Sequence, residues 1–295
     1  MKKFLMIAAV VLTAMVAQAQ VKVAPKLVNG FKAVYSDVSK IDASGKPVNI
    51  TSTTEYTVSD VTKDGAIITI LVKDVTTDAD ANDITGKLLA IAQNMMKGVE
   101  MKLKTDANGT PTNIINFEEV KQRTTQAAEG LVDELLQAIP QLGSMMPKDK
   151  LIAQVTESVT EKALIDAYKT EDSPLTLNGK TITSGLTESF IDNQGLKMKA
   201  SYFMLGKAIV CSKTLDMTKE ELKEKIIKMV EKTAPEQAEM VKKNIDLVMS
   251  TMKFESTSKT TYELDADGWM KSIQTEKNQN MMGQKIQSTS TTKKL

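Results

Sequence analysis

Residues 218–252 read TKEELKEKIIKMVEKTAPEQAEMVKKNIDLVMSTM, and their periodicity decides the fold class. Leu222, Ile226, Met229 and Val230 recur at i, i+4, i+7 and i+8, which makes one apolar stripe on a helix. Thr218 with Glu221 is a capping box that marks the helix start. Pro235 breaks the pattern, and Val241, Ile245, Val248 and Met252 resume it, so the stretch predicts two amphipathic helices or one kinked helix. The blocks on either side, 181–215 and 253–294, read as strand. Helices with one apolar face between strand-rich blocks need a sheet to lie on. The expectation is therefore α+β: a curved antiparallel, half-barrel-like sheet with amphipathic helices packed on its concave face.

The blocks further out fit that reading. Residues 31–40 and 49–59 are extended, and Asp64-Gly65 is a hairpin step. Residues 66–75 carry Ile67, Ile68, Ile70, Leu71 and Val72, apolar on both faces as in a central strand. Ile84, Leu88, Ile91 and Met95 mark a helix. Residues 99–105 alternate Met101 and Leu103 against Lys102 and Lys104, and Asp106-Ala107-Asn108-Gly109 turns the chain. Asn116 with Glu119 caps a longer helix to residue 139, and a further helical stretch covers 148–169. Strands follow at 181–191, 196–204 and 207–215. After the opening helices come 253–264 and 269–277, with 284–292 read as a polar edge strand.

Both halves, about 27–140 and 175–295, run meander, helix, hairpin. The Asp-x-x-Gly turn occurs in each, at Asp106–Gly109 and at Asp265–Gly268. Two related halves explain this, and so does ordinary hairpin chemistry.

The first nineteen residues read as a leader rather than as fold. Lys2 and Lys3 precede an apolar run from Phe4 to Val16, and Ala17-Gln18-Ala19 matches a cleavage site. The expected mature chain is one domain, residues 20–295, located in the periplasm or secreted. It is not a lipoprotein, because the single cysteine is Cys211. Without Lys2 and Lys3 the chain has 36 basic and 37 acidic side chains, so it has no pull on nucleic acid. The mature chain has no membrane-spanning run.

Chemistry motifs are missing. There is no histidine, which removes the commonest general base and metal ligand. Asp78-Ala79-Asp80-Ala81-Asn82-Asp83 begins like a calcium loop, but its sixth place is Asp83 and its twelfth is Leu89. Glu118/Glu119 and Glu220/Glu221 sit in first helical turns, where they serve the helix dipole. Asn49-Ile50-Thr51 and Asn108-Gly109-Thr110 match the glycosylation tripeptide in sequence where Asn and Thr belong to strands and turns anyway. The expectation is no enzyme, no metal and no cofactor. Methionine, at 18 residues, is unusually frequent and suits either core filling or an adaptable apolar cavity.

The order of leader, meander, helices and the hairpin TYELDADGWMKSI (residues 261–273) resembles the LolA-like periplasmic half-barrel class of lipoprotein carriers, and secreted proteins of Bacteroidetes bacteria. That resemblance implies an acyl chain held between curved sheet and covering helices. The predicted walls are Met101, Leu103, Met198, Tyr202 and Met204 on the sheet. Leu222, Ile226, Met229, Val241, Ile245 and Met249 face them from the helices. The expected partner is thus a hydrophobic ligand. The alternative is an envelope protein, met through the Ser/Thr-rich strand stretches 51–54, 256–261 and 288–292.

Overall fold

The computed structural model describes residues 20–43, 46–79, 96–138, 143, 147–157, 159–192, 195–233, 238–251, 254–281 and 284–295. The first half contains strands β1 (Gln20–Lys22), β2 (Lys32–Ala43), β3 (Lys46–Thr62), β4 (Gly65–Thr77), β5 (Glu100–Asp106) and β6 (Pro111–Ile114). Helices α1 (Phe117–Ala138), α2 (Lys148–Glu157) and α3 (Glu161–Ala167) follow. The second half has β7 (Thr181–Thr183), β8 (Thr187–Ile191), β9 (Lys197–Leu205) and β10 (Ala208–Leu215). It continues with helices α4 (Lys219–Thr233) and α5 (Ala238–Thr251), then β11 (Glu255–Leu264), β12 (Met270–Met281) and β13 (Gln284–Lys294). The leader, the helix read over 84–95 and the acidic residues 80–83 lie outside the described residues.

Eleven strands form one curved, unclosed antiparallel sheet in the order β6-β5-β4-β3-β2-β13-β12-β11-β10-β9-β8, so the class is α+β as expected. β1 and β7 form a separate small ribbon. Within each half, strands that follow one another in sequence pair as a meander, with short turns except for residues 78–99 between β4 and β5 and the helices α4 and α5 between β10 and β11. The two meanders meet where β2 pairs with β13, placing Asp37 opposite Thr292. β4 lies between β3 and β5, so it is an inner strand; Ala66, Ile68 and Ile70 are buried on its core face, whereas Ile67 and Leu71 on the other face are only partly covered.

That central junction corrects the reading of residues 284–292 as an edge strand. β13 is paired on both sides, with β12 and with β2. Its Ser/Thr alternation reflects its surroundings rather than exposure of its backbone: Ser290 Oγ donates to Asp172 Oδ1 (2.7 Å) and Thr292 Oγ1 to Asp37 Oδ2 (2.7 Å). The other Ser/Thr-rich stretches are interior too, in β3 and β11, so none of the three has a free edge to offer a partner. The free edges belong to β6 and β8.

Local signals hold where they are short-ranged. In the capping box of α4, Thr218 N donates to Glu221 Oε2 (2.7 Å) and Glu221 N donates to Thr218 Oγ1 (3.2 Å). Asn116 precedes α1, but its Oδ1 accepts from Lys102 N (2.9 Å), so this side chain ties the helix start to β5. The stretch 148–169 divides into α2 and α3 because Thr160 caps a new helix, its hydroxyl accepting from Ala163 N. Residues 181–191 divide into β7 and β8 around a turn closed by Leu186 N and Thr183 O (3.1 Å).

The main core lies on one face of the sheet. It joins Tyr35, Tyr56, Ile68, Ile70, Met101, Leu103, Tyr202, Ile209, Tyr262 and Ile273 with Ile165, Leu175, Leu177, Ile182 and Val23. Its cover is therefore α3, the non-helical strap of residues 168–180 and the N-terminal segment. The strap is held by Leu175 and Leu177, both fully buried, each contributing about 1.5–3 kcal/mol of burial. Helices α4 and α5 pack instead in a second, smaller cluster with Leu196 and Met198. The helices of residues 218–252 thus meet the sheet at the start of β9, and the expectation that they also face Met101 and Leu103 of β5 is corrected. The strap's apolar residues follow no helical period, so helical patterning did not single them out.

Candidate functional site

The predicted wall residues divide between those two clusters. Met101, Leu103 and Tyr202 are in the main core, with Met204 packed at its margin. Met198, Leu222, Ile226, Ile245 and Met249 form the second cluster, with Val241 at its margin. The Met229 side chain lies outside the described residues. Met101 and Leu103 do not share a wall with α4 and α5. β5 and β9 are eight strand steps apart, or about 38 Å along the sheet at the usual spacing.

The second cluster is the part of that prediction the fold assembles. Leu196 and Met198 sit at the start of β9, and Phe190, Leu215, Met217 and Phe254 border them. Lys223 Nζ reaches Asp246 Oδ1 (2.5 Å) and Lys242 Nζ reaches Glu231 Oε1 (2.8 Å), both bonds joining α4 to α5. Among the described residues, every ion pair of this hairpin is internal to it. Packing of apolar side chains thus carries its attachment to the sheet.

Tyr202 is more polar than an acyl-chain wall requires. Its hydroxyl donates to Glu188 Oε2 (3.3 Å), and Lys180 Nζ approaches both that oxygen (3.3 Å) and Glu188 Oε2 (2.6 Å). Burial pushes its phenol pKa up, with Cys211 and Glu188 adding to the shift. Cys211 is a buried free thiol of the main core, and burial raises its pKa.

A pocket of about 480 Å³ opens beside the main core, where the two meanders join. Tyr35, Asp37 and Ser39 of β2, Ser52, Thr54 and Tyr56 of β3 and Thr292 of β13 form its floor. The strap and the end of α3 form its roof with Tyr168, Thr170 and Asp172. Alternation in the strands puts Tyr35, Asp37 and Ser39 on one face, so the apolar core grades into a hydroxyl-lined surface along the same strand. Asp37 accepts from Ser39 Oγ (2.7 Å) and Thr292 Oγ1 (2.7 Å). Tyr35 OH donates to Met270 O (2.8 Å) and its ring meets Tyr56 edge-on at 5.3 Å. The sequence reading did not find this pocket, although period-two polarity in β2 and β13 was its visible signal.

The strap is anchored by charge. Glu171 pairs with Lys213 and with Lys277 (3.0 Å), and Asp172 pairs with Lys277 (2.9 Å). Burial alone would raise the Glu171 carboxyl, but the two lysine charges and their hydrogen bonds outweigh it and lower its pKa to about 2. Among the described residues no group of carboxylates and cysteine is placed to hold a metal ion. Asp78, first residue of the rejected calcium loop, accepts instead from Asn49 N and Nδ2 (2.6 Å each).

No family model matches the chain, and no curated protein matches it. Among solved structures, a lipovitellin structure concerned with lipid–protein interactions is 10% identical, with 91% of this chain aligned and a TM-score of 0.37. The chain spans 25% of that lipovitellin chain. An S-type phycobiliprotein lyase from Guillardia theta is 6% identical, covering 89% of this chain and 86% of its own, with a TM-score of 0.20. A porin-like protein from Bacteroides uniformis is 10% identical over 92% of this chain and 99% of its own, also with a TM-score of 0.20. Likenesses this distant carry no argument about function. What stands is the fold alone: a large, curved, unclosed antiparallel sheet with helices.

Proposed function

We propose that this chain is an exported, non-catalytic protein that holds a hydrophobic, lipid-like ligand between the start of β9 and the α4–α5 hairpin. The supporting observation is the separateness of the second apolar cluster. Leu222, Ile226, Ile245 and Met249 face Leu196 and Met198 in a cluster of their own, with Phe190 packed against both it and the main core, on a hairpin whose ion pairs are internal among the described residues. Such a unit separates from the sheet by parting apolar surfaces only, and an acyl chain replaces that contact in kind. Met198 and Met249 adapt their shape to a flexible chain. The leader-like residues 1–19 support an envelope or secreted address.

Met198→Trp tests this reading with a fluorescent fatty acid as probe. The parent should bind the probe, and the variant should lose binding while melting close to the parent. A parent that binds no probe, with a variant destabilised by about 1–3 kcal/mol as in an overfilled core, refutes it.

A second reading, an envelope interaction module, is favoured by one observation. Among the described residues the outer edge of β8 is unpaired, and the strand carries Ile191, which is 64% exposed. A partner protein recovered by parent chain but not by Ile191→Lys would support it.

A further inference from the structure

The geometry points to a second, polar binding site in the pocket at the β2–β13 junction, built for a small hydroxylated organic cation such as an amino sugar. Four observations carry this.

The first is a phenol at the pocket floor. Tyr56 lines the pocket at 4% exposure, and burial raises its phenol pKa, so the hydroxyl keeps its proton and can both donate and accept. A ligand hydroxyl or amine in the pocket meets it in either role.

The second is unbalanced charge. Asp37 and Asp172 both line the pocket. Lys277 neutralises Asp172 at 2.9 Å. Asp37 has two hydroxyl donors, Ser39 and Thr292, and among the described residues no cation within ion-pair distance. A carboxylate offers about four acceptor positions, so two hydroxyls leave it room for an ammonium donor. Among its described lining residues the pocket has no basic side chain, so it attracts cations and repels anions.

The third is the lining. Ser52 and Thr54 present hydroxyls that donate and accept, while Ser39 and Thr170, whose protons go to Asp37 and to Ala167 O, offer acceptor oxygens to a polyhydroxylated frame. Tyr35 and Tyr56 are 2% and 4% exposed, so the partly exposed ring of Tyr168 is the one that offers a cation or a sugar face an aromatic surface.

The fourth is size. A volume of about 480 Å³ accommodates a sugar-sized molecule and falls within the usual range for small-ligand pockets. The strap that roofs it is fixed by the Glu171 and Asp172 ion pairs, so the pocket is preformed.

Three ligands of one ring size separate the contributions: glucosamine as the cation, glucose as the neutral frame and glucuronate as the anion. Calorimetric titration of the full chain should show glucosamine binding about tenfold or more tighter than glucose, with no binding of glucuronate. Asp37→Asn should abolish the preference for glucosamine over glucose. Tyr56→Phe should weaken both about fivefold to tenfold. Equal affinity for glucosamine and glucose in the parent would overturn the role of Asp37. No binding of any of the three ligands would overturn the site. The comparison of ligands on the parent chain stands even if a variant fails to fold. The fatty-acid probe reads the other site, so each proposal fails independently.

Discussion

Gly109 and Gly268, from hairpin turns 159 positions apart in sequence, both close on Pro25. A Cβ built on Gly109 would lie 2.9 Å from Pro25 Cγ, and one on Gly268 would lie 2.6 Å from Ala24 O and 3.3 Å from Pro25 Cα. The two turns have matching hydrogen bonds. Asp106 Oδ1 accepts from Asn108 N and Thr110 N, and Asp265 Oδ1 accepts from Asp267 N and Trp269 N. Segment 23–26 thus connects the two meanders at their turns, and Lys26 N also donates to Asp267 O (2.8 Å).

Gly268→Ala should accordingly destabilise the protein by about 2–4 kcal/mol, through both the positive φ of 78° and the clash with backbone. Gly30→Ala has a similar φ of 79° and open space around the Cβ, so it should cost only about 1 kcal/mol. Urea denaturation of the two variants reads the difference. Equal losses would show that the contact with segment 24–25 contributes nothing.

Removing residues 284–295 should prevent folding, because β13 is the seam between the meanders and not an edge. Its loss would unpair β2 and β12 together. Circular dichroism of the truncated chain should show loss of the strand signal. A truncated chain that retains the parent spectrum and melting temperature would contradict the strand order.

The strap should make the protein acid-sensitive in a defined window. Folding lowers the Glu171 carboxyl from 4.5 to about 2, so its contribution to stability is complete above the unfolded value and is lost as pH falls from 4.5 towards 2. Glu171→Gln should cost about 3 kcal/mol at neutral pH, since it strips a partner from Lys213, whose side chain is 14% exposed. The variant should also show a weaker fall in stability across that acid window than the parent. Parallel pH profiles for parent and variant would be the contrary result.

Amide exchange should be faster in α4 and α5 than in β3 and β4. The hairpin rests on a small apolar cluster, whereas the strands are paired on both sides within the sheet. Native-state exchange followed by mass spectrometry measures this directly, and protection of the hairpin equal to that of the strands would refute it.

Cys211 should resist iodoacetamide in the native state and react once the chain is unfolded. It is 1% exposed and its thiol pKa is raised by burial, so the thiolate is scarce as well as inaccessible. Rapid labelling of native protein would contradict this placement.

The sequence by itself determined the kinds of element and several of their ends. The stripe Leu222–Ile226 and the Thr218–Glu221 box mark α4, the doubly apolar run in β4 marks an inner strand, and Asp-x-x-Gly marks two hairpin turns. These signals act over two to four residues, where backbone geometry alone brings the groups together. Tertiary structure decided which strands neighbour one another and what covers the sheet. Asp37 meets Thr292 across 255 positions, and Leu175 and Leu177 reach the core from a strap without helical period. It also split the predicted wall, leaving Met101 and Leu103 in one cluster and Met198, Ile226 and Met249 in another. Apolar periodicity tells a residue to be buried but does not choose its partner. That choice falls to the pairing of distant strands, whose loop-closure cost and register are set only when the whole sheet forms.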